Sequence, residues 1–368
     1  MTNCHQSSLL AAYLRRLINA NGPLTVARYM SEALNNPSFG YYTTRDPLGT
    51  RGDFTTAPEI SQMFGELIGA WFIDCWRGLG APDPVLLVEL GPGRGTLISD
   101  LWRGIAVSPD FRAAVRFCLV EASPVLRSQQ QQRLSNLRPL PALDWYSRLA
   151  DVPDGTLMLI GNEFFDALPV HQFVAGADGW RERLIDRDLC QADAFRYVLS
   201  PGRTPATALL DGGNKSADAM EVCPSGLSLA HDIAERVTRV GGAALIVDFV
   251  ANYLDFSLQA VRGHDHHDPL MSPGSADLAC AVNFAALSKV ARTAGALVHG
   301  PRGQGAFLES LGISSRAERL AQGVSAETSQ MIHSGRRRLT EPGFMGELFQ
   351  AMAITSGSLV SVAGFEPT

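Results

Sequence analysis

The chain has 368 residues, of which 46% are hydrophobic and 18% are charged, so it is long and apolar enough to fold as a globular protein with more than one lobe. Its formal net charge of −6 argues against nucleic acid as a partner, because proteins that bind the phosphate backbone carry a clustered basic excess. Its apolar runs are shorter than the roughly 20 residues that cross a bilayer, so we expect no membrane association.

The middle of the chain alternates short apolar runs with helical patterns. Alternation of this kind predicts a parallel sheet covered by helices. Two later runs predict further strands, the last of them antiparallel. The fold class is therefore α/β, with a Rossmann-like sheet of seven strands. The apolar runs that predict strands are residues 85–89, 115–121, 157–160, 243–248, 296–299 and 348–355.

The chain also divides by composition. A change to short strand patterns separated by Gly, Asp and Pro turns predicts a β lobe inserted into the sheet domain. The predicted divisions are a helical N-terminal region (1–80), the first part of the core (81–168), the inserted β lobe (169–225), the second part of the core (226–300), a helical segment (301–345) and the final strand (346–368).

The strongest local signal is a buried strand that ends in Glu89 and is followed by Gly91, Gly93 and Gly95 and then by a helical pattern. Glycine allows the sharp turn from strand to helix and lets a ligand lie against bare backbone. The spacing G-x-G-x-G differs from the G-x-G-x-x-G of dinucleotide-binding proteins. The pattern predicts an adenosyl ligand at the carboxyl edge of the sheet.

Glu89 distinguishes between two such ligands. A pyrophosphate avoids a fixed negative charge, whereas the sulfonium and ammonium groups of S-adenosylmethionine are cations that favour an acid nearby. Glu121 ends the next predicted strand, where its carboxylate can accept two hydrogen bonds from ribose hydroxyls. That role also suits NAD, so Glu121 alone does not discriminate. The alternative for both features is an ordinary tight turn and a solvated strand end.

A candidate reaction site follows the predicted strand 157–160, in the run Gly-Asn-Glu-Phe-Phe-Asp-Ala-Leu-Pro at 161–169. Glu163 can hold a guanidinium by a bidentate pair, and Asn162 can accept a hydrogen bond from an amine. Phe164 and Phe165 can form a dry wall around the reacting groups, and Asp166 is a further candidate. The alternative is that the two rings are core and that Asp166 caps a following helix.

The run Arg-Gly-His-Asp-His-His-Asp at 262–268 has the composition of a metal site. We interpret it instead as a loop that closes over the substrate, with a solvated surface loop as the alternative, because metal ligands are normally fixed by rigid spacing on helices or strands. The sequence therefore predicts no metal. The six cysteines show no C-x-x-C spacing, which favours a reducing compartment.

The chain resembles the MidA family of bacterial and mitochondrial methyltransferases, whose mitochondrial members assist the assembly of respiratory complex I. Two motifs carry most of the resemblance: residues 52–66 (GDFTTAPEISQMFGE) and 163–169 (EFFDALP). Shorter matches lie at residues 22–30, 40–42, 89–97, 262–263, 273–278 and 305–308. The resemblance therefore extends over nearly the whole chain.

The resemblance implies a class I methyltransferase fold, S-adenosylmethionine as cofactor and an arginine of a protein as methyl acceptor. It also implies that residues 52–66 lie over the cofactor, with Asp53, Thr55, Glu59 and Ser61 as candidate contacts. A bacterial cytoplasm is the expected compartment, and the mitochondrial matrix is the alternative.

The sequence departs from the family pattern at Phe249 and Val250, where the family typically has Tyr and Gly, and at Asn283, where it usually has Asp. Both departures bear on the acceptor more than on the cofactor. The leading hypothesis is a protein-arginine methyltransferase with a protein partner, and a homodimer is compatible with it. The alternatives are methyl transfer to a small molecule or to another side chain, a cofactor-binding assembly factor without catalysis, and a nucleotide-dependent oxidoreductase.

Overall fold

The computed structural model describes residues 2–44, 55–191, 194–210, 218–251 and 255–366. The chain divides into two compact units. Unit 1 is drawn from Met1–Phe54, Asp166–Ser228 and Ala251–Ala281, and unit 2 from Thr55–Phe165, Leu229–Val250 and Val282–Thr368. The predicted β lobe, residues 169–225, falls in the second segment of unit 1.

The helices and strands are numbered in chain order. The helices are α1 (Thr2–Asn21), α2 (Val26–Asn35), α3 (Tyr41–Thr44), α4 (Ala57–Ile60), α5 (Gln62–Gly78), α6 (Thr96–Gly104), α7 (Pro109–Ala114), α8 (Pro124–Leu134), α9 (Pro224–Val240), α10 (Phe284–Thr293), α11 (Gln304–Ser310), α12 (Ile313–Ala321) and α13 (Ala326–Thr340). The strands are β1 (Leu24–Thr25), β2 (Val85–Leu90), β3 (Val115–Val120), β4 (Leu143–Tyr146), β5 (Leu157–Asn162), β6 (His171–Gly176), β7 (Gly179–Arg187), β8 (Phe195–Leu199), β9 (Ala219–Val222), β10 (Gly242–Phe249), β11 (Gln259–Arg262), β12 (Asp265–His267), β13 (Asp277–Ala279), β14 (Leu297–Gly303) and β15 (Phe349–Thr355).

Unit 2 contains a seven-stranded sheet in the order β14-β15-β10-β5-β2-β3-β4. The strands from β10 to β4 run parallel, whereas β15 is antiparallel to both of its neighbours. The prediction of a seven-stranded α/β sheet with a late antiparallel strand is confirmed. No apolar run in the sequence predicts β4. This strand lies at the sheet edge and is only partly buried.

The central strands form where the sequence is continuously apolar. In β10, seven of the eight residues are buried, and in β2 five of the six are buried. Strands covered by helices on both faces need apolar side chains on both, which explains the unbroken runs. Burial of these strands against α5 and α6 forms the core of unit 2.

Chain order and sheet order together fix where a ligand can bind. From β2 the chain continues outward to β3 and β4, and it then returns to β5 on the other side of β2. The order therefore reverses between β2 and β5. In open α/β sheets, the crevice beyond the carboxyl ends of two such strands is the usual ligand site.

Unit 1 contains two smaller sheets. One has the order β1-β7-β6-β9, with β8 also paired to β7, and the other has the order β12-β11-β13. The short strand patterns of the predicted β lobe correspond to β6, β7, β8 and β9. The two-residue strand β1, which pairs with Leu184 and Ile185 of β7, is too short to leave a pattern in the sequence.

The interpretation of residues 262–268 as a loop is wrong. Arg262 pairs with Asp265 in an antiparallel hairpin of β11 and β12. Gly263 and His264 form its turn, and both have a positive φ, 59° and 67°. Two consecutive positive φ values are typical of the two-residue hairpin turn, which a short run of polar residues does not reveal.

No group of three or more His, Cys, Asp or Glu side chains within the described ranges is arranged to hold a metal ion. None of the helices among these residues is long and apolar enough to cross a membrane.

Candidate functional site

The glycine turn follows β2 in unit 2. Gly91, Gly93 and Gly95 all have a positive φ, at 60°, 54° and 75°. The Gly91 N–H donates to the carbonyl of Val120 at 3.0 Å, which joins the turn to the end of β3. A Cβ at Gly91 would lie 2.8 Å from Cδ2 of Phe164. Positive φ and close approach together explain why side chains are excluded here.

Glu89 lies at the base of this turn and is 4% exposed. Its Oε2 is buried and has no hydrogen-bond partner among the described residues. Burial raises the pKa of Glu89 to about 8, and the nearby negative charge of Glu121 adds to the shift. A buried carboxylate oxygen without a partner is costly, so its presence points to a cationic ligand group that would pair with it. Glu89 therefore fits the ammonium or sulfonium of S-adenosylmethionine.

Glu121 directly follows β3 and is also buried. Its Oε1 accepts the N–H of Ser123 at 2.8 Å, and its Oε2 accepts a hydrogen bond from Gln130 Nε2 at 3.2 Å. Burial raises the pKa of Glu121, and these two hydrogen bonds oppose the shift. A carboxylate has about four lone-pair positions, so capacity for two ribose hydroxyls remains.

Gln130, on α8, is a residue that sequence reasoning missed. Its Nε2 also donates to the carbonyl of Gly93 at 2.8 Å, and its Oε1 accepts a hydrogen bond from Trp145 Nε1 at 2.9 Å. The side chain is fully buried and holds the glycine turn and the second acid together. A signal was present, because Gln130 lies at helical spacing between two buried leucines, 126 and 134.

Part of the segment 52–66 reaches the glycine turn. The Thr96 hydroxyl, in the first turn of α6 directly after Gly95, donates a short hydrogen bond to the Glu59 carboxylate. Glu59 itself belongs to the short helix α4. The predicted position of Glu59 over the turn is therefore compatible with the structure.

The other three candidates from this segment have different surroundings. The Ser61 Oγ accepts the N–H of Met63 at 3.3 Å and so caps α5. Thr55 lies just before the N-cap residue of α4, Thr56. Asp53 lies outside the described residues. A contact between the cofactor and any of these three side chains stays a prediction.

Asn162 and Glu163 lie side by side at the end of β5. The Glu163 Oε1 accepts hydrogen bonds from Asn162 Nδ2 at 3.2 Å and from the backbone N–H of Ala57 at 2.8 Å. The Asn162 Oδ1 is buried, and no residue in the described part of the chain forms a hydrogen bond with it. Glu163 has a φ of 49°, which is rare for a residue other than glycine and is concentrated at functional sites.

Asp248, near the end of β10, fixes this turn. Its Oδ2 accepts the N–H groups of Phe164 at 3.1 Å and Phe165 at 2.8 Å, and its Oδ1 accepts the N–H of Phe249 at 2.8 Å. Asp248 is completely buried. The two rings that it positions meet edge to face, with centroids 5.9 Å apart. Phe165 is buried, whereas Phe164 is partly exposed, so a dry wall here would be completed only when a ligand covers Phe164.

Asp166 is placed differently from the other two catalytic candidates. It lies in unit 1, whereas Asn162 and Glu163 lie in unit 2. Its carbonyl accepts the N–H of Cys280 at 2.8 Å, and burial raises the pKa of its carboxyl to about 7. No helix begins in residues 163–170, so the alternative that Asp166 caps a following helix is wrong.

The structure therefore brings Glu89, Gly91, Glu121, Asn162 and Glu163 to the carboxyl ends of β2, β3 and β5. The seven-stranded sheet, the reversal of strand order between β2 and β5, and a glycine turn with a buried acid define a class I methyltransferase.

Comparisons with known proteins agree with this class. The chain belongs to a family of S-adenosyl-L-methionine-dependent methyltransferases, whose model matches residues 67–302, and to the MidA group within it. It is 41% identical to the mitochondrial protein arginine methyltransferase NDUFAF7 homolog of Drosophila melanogaster, over 96% of this chain and 86% of that protein. It is 39% identical to mitochondrial NDUFAF7 of Homo sapiens, over 93% of this chain and 82% of that protein.

One similar protein has a solved structure that contains a bound ligand. A Burkholderia thailandensis protein bound to S-adenosyl-homocysteine has 26% sequence identity and a TM-score of 0.84, covering 99% of this chain and 95% of that one. S-adenosylmethionine is thus the cofactor, as predicted, and the oxidoreductase alternative is set aside. When bound, the cofactor supplies an electrophilic methyl group.

Proposed function

We propose that this protein transfers a methyl group from S-adenosylmethionine to a guanidinium nitrogen of an arginine in a protein acceptor. The observation that carries the proposal is the position of Glu163. Its carboxylate lies at the carboxyl end of β5, the strand next to β2 and its glycine turn. The relatives described as protein arginine methyltransferases support arginine as the acceptor residue.

In this proposal Glu163 pairs with the positive guanidinium and turns one of its nitrogens toward the methyl group. Such pairs are strong and directional because the planar guanidinium presents several donors to one carboxylate. The nitrogen–carbon bond forms as the methyl group leaves sulfur, and the proton lost by that nitrogen passes to Glu163. Asn162, through its buried Oδ1, accepts a second hydrogen bond from the guanidinium.

Phe164 and Phe165 act by excluding water from the reacting groups, which strengthens the pairing of Glu163 with the acceptor. Methyl transfer is an in-line displacement, so positioning supplies much of the rate enhancement, up to roughly 7–11 kcal/mol in favourable model reactions. Asp248 contributes indirectly, because its three hydrogen bonds fix the backbone that carries both rings.

The test uses the purified full-length protein with S-adenosylmethionine labelled in the methyl group and a native cell extract. We expect label in a polypeptide, released by hydrolysis as methylarginine. Label in a small molecule, or in another amino acid, would overturn the assignment to arginine. A folded, cofactor-binding protein that labels nothing, yet retains a partner from the extract, would instead support the assembly-factor alternative.

Two finer points stay predictions. The names of the animal relatives include a mitochondrial location, which supports the mitochondrial matrix as the compartment. These names give no support to the bacterial cytoplasm. A subunit of respiratory complex I as the acceptor rests on the family resemblance alone. Fractionation of the source cell and identification of the labelled polypeptide test these two points separately.

A further inference from the structure

A depression of about 600 Å³ lies on unit 2 between α10 and β14. The depression is open to solvent. In the sheet, β14 is four strand positions from β2, which corresponds to about 19 Å at the usual spacing. The lining of the depression includes Ser288, Lys289, Arg292, Thr293, Gly300 and Pro301, and none of its residues belongs to the proposed reaction site.

Two cations dominate its lining. Lys289 and Arg292 are exposed and lie three residues apart on α10, so they face the same way. Within the described part of the chain, neither side chain forms an ion pair, and the one hydrogen bond of the Arg292 guanidinium goes to the carbonyl of Val298 at 3.4 Å. Two uncompensated cations in one depression are notable in a protein with a net charge of −6.

The opposite wall brings no side-chain charge. It is formed by Gly300 and Pro301, at a register shift of β14 between His299 and Arg302. Gly300 has a φ of 85°, and a Cβ there would lie 2.9 Å from the ring of Phe365 and 3.0 Å from the carbonyl of Ala351. The backbone therefore approaches the sheet closely here and leaves space on the side of α10.

The charge of Arg292 also acts on the adjacent strand β14. Burial lowers the pKa of His299, a hydrogen bond with the backbone of Leu359 opposes the shift, and the charge of Arg292 adds to it. Two exposed cations on the α10 side of the depression, opposite an uncharged wall, favour an anionic ligand.

We propose that this depression binds an acidic segment of a protein partner through two carboxylates. Side chains three apart on a helix are about 5–6 Å apart at Cβ, close to the roughly 6.6 Å between alternate residues of an extended peptide. A Glu-x-Glu segment can thus pair with Lys289 and Arg292 together. A phosphate bound here would lack the N–H groups of a helix N-terminus, because these cations lie in the C-terminal half of α10.

The test measures fluorescence anisotropy of a labelled Gly-Glu-Gly-Glu-Gly peptide with the full-length protein, and the glutamine counterpart serves as the uncharged probe. We expect the combined substitution Lys289→Ala and Arg292→Ala to weaken binding about five- to tenfold, as for two exposed charge pairs. The matched control, Arg337→Ala with Arg338→Ala, removes the same charge from exposed positions on α13 and should change affinity less than about twofold.

Three results would overturn the proposal: equal binding of the glutamine peptide, an equal loss in the control, or displacement of the peptide by inorganic phosphate at concentrations below the peptide's own Kd. The thermal shift caused by S-adenosyl-homocysteine should be unchanged in both variants. That measurement verifies folding and separates this proposal from the proposed methyl transfer, which does not depend on these residues.

Discussion

The Glu163 carboxylate accepts a hydrogen bond from the backbone N–H of Ala57 at 2.8 Å, although the two residues are 106 positions apart. Ala57 is the first residue of α4, so Glu163 caps that helix from a distant part of the chain. The helix also carries Glu59, which accepts the hydroxyl of Thr96 beside the glycine turn. One side chain thus has a structural contact and a proposed catalytic role, and the two can be separated by substitution.

Glu163→Gln should separate the structural contact of Glu163 from its proposed catalytic role. The amide oxygen of Gln still accepts the N–H of Ala57, so we expect a Tm within about 2 °C of the wild type. Loss of a charge-assisted pair costs about 1.5–3 kcal/mol, so methyl transfer should fall roughly ten- to a hundredfold. Thermal unfolding, calorimetric affinity for S-adenosyl-homocysteine and transfer of labelled methyl groups provide the three measurements.

Glu163→Ala removes the cap as well and should also cost about 1 kcal/mol of stability. Ser325→Ala is its control, because Ser325 caps α13 and has no place in the proposed site. It should lose comparable stability while methyl transfer stays at the wild-type rate. Transfer that remains near wild type in folded Glu163→Gln protein would exclude the catalytic role.

Asp248→Asn tests whether the turn at 163–165 needs a carboxylate. An Asn side chain has one oxygen, so it cannot accept the N–H groups of Phe164 and Phe165 on one side and of Phe249 on the other. Loss of stability should be about 1–3 kcal/mol because these groups are buried. As a positioning residue, Asp248 should affect kcat more than KM. A variant with normal kcat in steady-state kinetics would show that the turn holds without it.

The parallel sheet and the glycine turn could be predicted because both are local: a strand such as β10 needs consecutive apolar residues, and the turn at 91–95 needs glycine at positive φ. The roles of Asp248 and Gln130 could not be predicted from the sequence. Each bonds to backbone groups far away in sequence, at separations of 83 residues for Phe165 and 37 for Gly93. No spacing within one segment encodes such contacts.

Gln130→Leu should destabilise the glycine turn of the cofactor site without removing a residue that contacts the cofactor. Leucine has similar size, but it leaves the carbonyl of Gly93 and the indole N–H of Trp145 without their partner. Each buried group left unsatisfied costs about 1–3 kcal/mol, so we expect a clear drop in Tm and at least a tenfold loss of affinity for S-adenosyl-homocysteine. Gln131→Leu, at an exposed neighbouring position, is the control and should change neither. Equal affinity in both variants, measured by calorimetry, would reject the role of Gln130.

Glu89 makes the site sensitive to pH. Its pKa rises from 4.5 to about 8 in the folded protein, so between about pH 5 and 8 the folded chain holds a proton that the unfolded chain has released. Stability of the cofactor-free protein should therefore fall as pH rises through this window. Glu89→Gln cannot lose that proton, so its Tm should fall less than the wild-type Tm between pH 5 and 8. Parallel Tm profiles in scanning calorimetry would contradict the raised pKa.

The cofactor-free protein favours protonated Glu89, whereas binding of S-adenosylmethionine should favour ionised Glu89, because the ligand is a cation. From pH 6 to 7, below the titration of the ligand's own amino group, the association constant should rise about tenfold per unit. Binding should then release nearly one proton, which calorimetry detects by comparing buffers of different ionisation heat. Glu89→Gln should bind about ten- to a hundredfold more weakly and release none. If the wild type and Glu89→Gln release the same number of protons on binding, another group titrates, and the buried Oε2 of Glu89 does not pair with the ligand.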